Sequence, residues 1–178
     1  MKKVALIGMG NIMFNDEGVG VYCVEYIRKN YKISNNLTII DGGTLGFKLM
    51  SFYQDYDLII IVGTTSQNGN VGDIFINSGD EVIAQGKTRQ SANEVEIAMM
   101  LEICSLSNIM GEVKTVGIIP KDIQTVYNGL SEEIQKKIEL LTNTTIQLLK
   151  SYNIKLEKNN NIPFKEILDF YANPKSIF

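Results

Sequence analysis

Val4-Ala5-Leu6-Ile7-Gly8-Met9-Gly10-Asn11-Ile12-Met13-Phe14-Asn15-Asp16-Glu17-Gly18-Val19-Gly20 is an apolar strand that runs into a glycine turn and then into an acidic pair at the start of a helix. In an open α/β sheet ligands sit beyond the carboxyl ends of the strands, and the first loop delivers Glu17 to that edge. The helix that follows, over about 17–30, carries Val19, Tyr22, Cys23, Tyr26 and Ile27 on one face. Asp16 is placed to cap it. By itself such an acidic pair reads as a cap plus a charge favoured by the helix dipole. Gly18 and Gly20, on either side of Val19, would let the sheet or another chain approach closely.

Further strands are predicted at 37–41, 57–63, 72–77 and 112–118, with the first at 3–8, and further helices at 44–54, 90–106 and 130–151. Strands and helices alternating through short connections predict a mainly parallel sheet covered on both faces. Ser91 with Glu94 three residues on forms a capping-box pattern at the third helix, and Asn128-Gly129-Leu130-Ser131 supplies turn and cap for the fourth. After Ser151 the texture changes to an asparagine-rich run ending in Asn159-Asn160-Asn161. Residues 1–151 therefore read as the main domain, and 152–178 as a linker and short helical appendage, docked on the domain in preference to a partner.

Hydrophobic residues make up 44% of the 178 and charged residues 21%, which fits a single globular core. The net charge of −3 gives no footprint for nucleic acid. The longest apolar run, Leu58 to Val62, is far short of the about 20 residues that span a bilayer. A cytoplasmic protein is expected. Cys23 and Cys104 fall inside helical patterns without metal spacing and read as reduced core residues. There is no histidine in the chain, which removes Ser-His-Asp and Cys-His mechanisms. Gly8-Met9-Gly10 lacks the third glycine of a dinucleotide loop, because Met13 stands there.

The first strand with its GxGN turn and DExxG run, Asp41-Gly42-Gly43-Thr44, Val116-Gly117-Ile118-Ile119-Pro120 and Gly129-Leu130-Ser131 occur together in order over residues 3–150. This set resembles the hydrogenase maturation endopeptidases. The resemblance implies a three-layer α/β/α sandwich of the phosphorylase/hydrolase-like kind, with a twisted, mostly parallel sheet of about five strands. The activity it implies is cleavage of the C-terminal extension of a [NiFe]-hydrogenase large-subunit precursor after nickel insertion. No intrinsic cofactor is implied, and nickel carried by the precursor is what such a protease would recognise.

A Glu, an Asp and a His mark the metal-contacting site in the typical member. Here the Glu is Glu17, the Asp position holds Val62 and the His position holds Asn93. Valine offers no donor and a neutral amide is a weak one. Glu94, next to Asn93, is the candidate substitute ligand. Asp41, Gly42, Gly43 and Thr44 are the candidate substrate-binding turn. The alternative is a non-catalytic paralogue that keeps the scaffold and binds the precursor or a maturation factor.

Overall fold

The computed structural model describes residues 2–85, 91–107 and 111–173. Its centre is a five-stranded sheet in the order β3-β1-β4-β6-β5, from β1 (Val4–Met9), β3 (Leu37–Gly43), β4 (Leu58–Thr64), β5 (Ile74–Ser78) and β6 (Glu112–Ile118). All neighbours run parallel except β5, which pairs antiparallel with β6 at the edge. The chain goes from β1 to β3 on one side and then crosses to β4 on the other. That places a topological switch point at the carboxyl end of β1, where open α/β sheets hold their ligands.

Two apolar layers cover the sheet. On one face α1 (Val19–Asn30), α6 (Ile138–Ser151) and α7 (Phe164–Ala172) bury Leu6, Leu58, Ile60, Val62 and Val116 together with Val19, Tyr22, Cys23 and Leu141. On the other, α4 (Ala92–Leu106) and α3 (Gly79–Gln85) bury Ile7, Met9, Ile59 and Ile61 with Val82, Ile97 and Leu101. The three α/β/α layers follow from this. Both cysteines are buried, and burial pushes the Cys23 thiol up to about 11, so it stays protonated.

Several local readings change. The first helix begins at Val19, because Asn15–Gly18 form a 3-10 turn and Gly18 caps α1 without a side-chain bond. The 44–54 segment is not one helix: Gly46 at φ +24° starts a 3-10 turn over Gly46–Ser51, and α2 (Phe52–Asp55) is a single turn. The 130–151 helix breaks after α5 (Glu132–Gln135) before α6 begins at Ile138. The helix α3 is not among the predicted elements.

The tail is fixed to the domain. Leu156–Lys158 form β7, which pairs antiparallel with β2 (Tyr31–Ile33). The fully buried Asn30 side chain accepts from the Ile162 amide at 2.6 Å and donates to the Ile162 carbonyl, while its own backbone carbonyl accepts from the amides of Asn159 and Asn160. The asparagine run is thus a moulded turn rather than a loose linker. Beyond it α7 packs on α1, with Ile167 inside the core and Tyr171 edge-on to Tyr22 at 5.4 Å. Asn30→Ala should cost about 1–3 kcal/mol, because it orphans buried backbone groups of the returning chain. Urea denaturation measures that loss, and faster amide exchange at Ile162 should accompany it.

Candidate functional site

The acidic pair is split between two roles. Gly10 turns the chain at φ +131°, and a Cβ there would lie 1.7 Å from the Glu17 carbonyl, so only glycine lets the turn fold back on the acidic segment. Asp16 then points inward, fully buried. Its carboxylate accepts from the Lys121 amide at 2.9 Å, the Asp122 amide at 3.1 Å, the Ser131 amide at 2.7 Å and the Ser131 hydroxyl at 2.9 Å. It does not cap α1. It ties the loop after β6, and the start of α5, to the end of β1.

Glu17 points the other way and meets Asn93. The Asn93 carboxamide, in the first turn of α4, donates to Glu17 Oε1 at 3.1 Å across 76 positions of sequence. Glu17 is half-buried, and this burial raises its carboxyl above the ordinary glutamate value, while the bond from Asn93 partly offsets the rise. The folded state therefore holds the Glu17 proton more tightly than the unfolded chain. Its contribution to stability is present below the ordinary pKa and is lost as pH rises through the raised one. Glu17→Gln is accordingly expected to melt slightly above the wild type at neutral pH, with the difference vanishing under acid. Thermal melts across about pH 3–8 would show it, and a variant less stable at every pH would refute it.

Glu94 is engaged in structure. Its oxygens accept from the Ser66 amide at 2.9 Å and hydroxyl at 2.8 Å, which fastens the loop after β4 to α4. Ser91 does cap α4, its hydroxyl accepting from the Glu94 amide at 3.2 Å. The substitute-ligand role for Glu94 gains no support from this arrangement.

Val62 is a sealed core residue. It sits in the middle of the sheet between Gly8 and Val116, fully buried on the α1 face, so an open position beside Glu17 is not what the structure shows. The cleft above the carboxyl ends of β1, β4 and β6 is lined by its neighbours Ile61 and Gly63, and by Asn93. The Asp41-Gly42-Gly43-Thr44 turn closes β3. Asp41 accepts from the Gly43 amide, and the Gly43 carbonyl accepts from the Gly10 amide at 2.8 Å, so the turn braces the base of the Glu17 loop. It caps no helix.

Two further residues at this edge carry no signal in the sequence. Tyr171, from α7, donates to Asp41 Oδ2 at 3.4 Å, and Asn128 bridges Tyr22 and the Tyr171 carbonyl. Asn128 lies in the turn ahead of Ser131, where an asparagine before glycine signals a turn and nothing in the sequence shows its distant partners. Among the described residues no three His, Cys, Asp or Glu side chains gather as a metal cage. One carboxylate with an amide donor beside it and a sealed valine do not fit a resident metal ion.

Residues 21–148 match the family model described as hydrogenase maturation protease, HycI. The chain belongs to that family. Among curated relatives, the hydrogenase expression/formation protein HupD of Rhizobium leguminosarum bv. viciae is 28% identical over 85% of this chain and 76% of its own length. The hydrogenase 2 maturation protease of Escherichia coli K12 is 29% identical over 77% of this chain and 84% of its own. The fold agrees. The hydrogenase maturating endopeptidase HybD from E. coli superposes with a TM-score of 0.82 at 24% identity, covering 88% of this chain and 98% of that one. The HybD protease from Thermococcus kodakarensis gives 0.67 at 21%, covering 82% and 98%.

Proposed function

We propose that this protein receives the C-terminal region of a [NiFe]-hydrogenase large-subunit precursor in the cleft at the carboxyl edge of the sheet, and cleaves its extension there. The observation that carries the reading is the meeting of Glu17 with Asn93 beside that cleft, in a chain of the maturation protease family. The Asn93 amide fixes the direction of the Glu17 carboxylate. Half-burial moves its proton affinity toward the working range of a general base. Nickel enters as part of the substrate, carried by the precursor, and the protein holds no intrinsic cofactor. The proposed location is the cytoplasm, which agrees with the finding that no helix among the described residues is long and apolar enough to cross a membrane.

A second reading, precursor binding without cleavage, is favoured by one observation. Val62 is packed into the core where a ligand would have to stand. Incubation with nickel-loaded and nickel-free precursors, following both complex formation and the release of the extension, separates the two. Cleavage of the nickel-loaded form that is lost in Glu17→Gln supports processing. Stable binding without cleavage supports the paralogue, and absence of both overturns the proposal.

A further inference from the structure

The strand ends under α4 carry an oddity. Gly63 of β4 and Gly117 of β6 are direct partners in the parallel register, so two glycines lie side by side at the carboxyl edge. Strand glycines give up β-propensity and side-chain packing, and they commonly mark a close approach by another chain or a ligand. Gly117 has an internal reason. A Cβ there would stand 2.7 Å from the Thr65 Cβ. Gly63 has no such clash: the atoms nearest to a Cβ there belong to Met9, its carbonyl oxygen at 3.4 Å and its Cβ at 3.7 Å, which is ordinary contact, and its φ is not left-handed. The fold would accept a side chain at 63, and the space it would fill is left open.

That space is a slot. Its floor is Ile61, Gly63, Thr115 and Gly117, and its roof is Val82 of α3 and Ile97 of α4. Asn93 stands on its rim, one hydrogen bond from Glu17. Apolar groups dominate the lining, with Thr64, Thr65 and Thr115 among them. The buried Glu94 carboxylate at the side already receives the Ser66 amide and hydroxyl, so that wall does not offer a bare charge to a cationic guest. From this geometry we infer that the slot over Gly63 is a specificity subsite that takes one short aliphatic side chain of the bound tail, setting the neighbouring peptide bond beside Glu17. The inference rests on the proposed precursor reading and extends it to the sequence the tail must present. Gly63 and Ile97 are then specificity-determining residues, and the backbone of the tail crosses the sheet edge where Gly63 leaves clearance.

The test uses the isotope-labelled full chain and blocked tetrapeptides that differ at one position, leucine against glutamate. The leucine peptide is expected to shift the amide signals of Gly63 and Thr115 and the methyl signals of Ile97, with the glutamate peptide at least tenfold weaker. Gly63→Val should abolish the leucine shifts while melting as the wild type does. Should that variant not fold, Gly63→Ala is expected to weaken the leucine peptide, and Ile97→Ala to move the preference toward phenylalanine. Equal binding of both peptides, shifts that survive a side chain at 63, or no shifts at these residues overturn the subsite. The two readings also fail separately. Leucine discrimination in a chain that neither binds nor cleaves the precursor overturns the proposed function alone, whereas precursor binding indifferent to Gly63→Val overturns the subsite alone.

Discussion

Asp16→Ala is expected to remove about 3–5 kcal/mol of stability, a large share of what a domain of this size has. The carboxylate is fully buried and takes four hydrogen bonds from Lys121, Asp122 and Ser131. Deleting it leaves three part-buried backbone N–H groups without their acceptor, and each unsatisfied group costs about 1–3 kcal/mol. Asp16→Asn tests the cause. An amide keeps the volume but turns a donor toward donors, so it should recover only part of the loss. Guanidinium denaturation at neutral pH is the measurement, and a loss below about 1 kcal/mol for the alanine variant would mean that water replaces the carboxylate. The consequence reaches the site, because the loop held by Asp16 carries the turn that precedes α5 and faces the Glu17 loop. The Asp122 carboxyl in that loop is itself held down to about 2 by bonds from Thr125 and the Gln124 amide, so the loop is preorganised on both sides.

How much of this is legible in the sequence depends on whether the signal is local. The strands β1 and β4 announce themselves as apolar runs, and β3 and β6 as β-branched stretches that end in glycine and turn residues, and the parallel order follows from the helices between them. The unpredicted helix α3 does have a signature: Ser78 and Glu81 form a full capping box, with the Ser78 amide donating to Glu81 and the Glu81 amide to the Ser78 hydroxyl. In the Ser91-Glu94 pattern the Ser91 hydroxyl caps the helix, while the Glu94 carboxylate is drawn to the distant Ser66. A capping spacing shows where a helix can start but not which distant group will compete for its side chains. Asn30 is the same lesson at longer range, because its partner Ile162 lies 132 residues away and no spacing rule reaches that far. The convergence of Glu17 and Asn93 could be expected from topology, since both lie in segments that reach one sheet edge. The sealing of Val62 could not. Residues 58–62 are apolar throughout, and a central strand buried on both faces shows no alternation from which to tell the faces apart.

Val62→Asp combined with Asn93→His is expected to unfold the protein rather than to build a metal site. In sequence terms the pair restores the donors that the family resemblance implies. In the structure the aspartate would lie between Val116 and Gly8, inside the layer formed with Val19 and Tyr22, an apolar setting for a carboxylate. Burying an unpaired carboxylate belongs to the most damaging class of substitution, and a cost of about 4 kcal/mol or more is expected. Gly20 adds to this. A Cβ at that position would stand 2.1 Å from the Val62 carbonyl, so α1 already rests on the strand at this point and leaves no room for the strand to shift. Asn93→His alone replaces a side chain at the cleft rim and should be tolerated, with loss of the bond to Glu17. Melting curves of the two single variants and the double, with and without Ni²⁺, decide the matter. A steep fall for Val62→Asp that nickel does not rescue means that this scaffold has closed the position into its core. A folded double variant that takes up one nickel per chain would show that the strand end opens, and would return Val62 to the cleft.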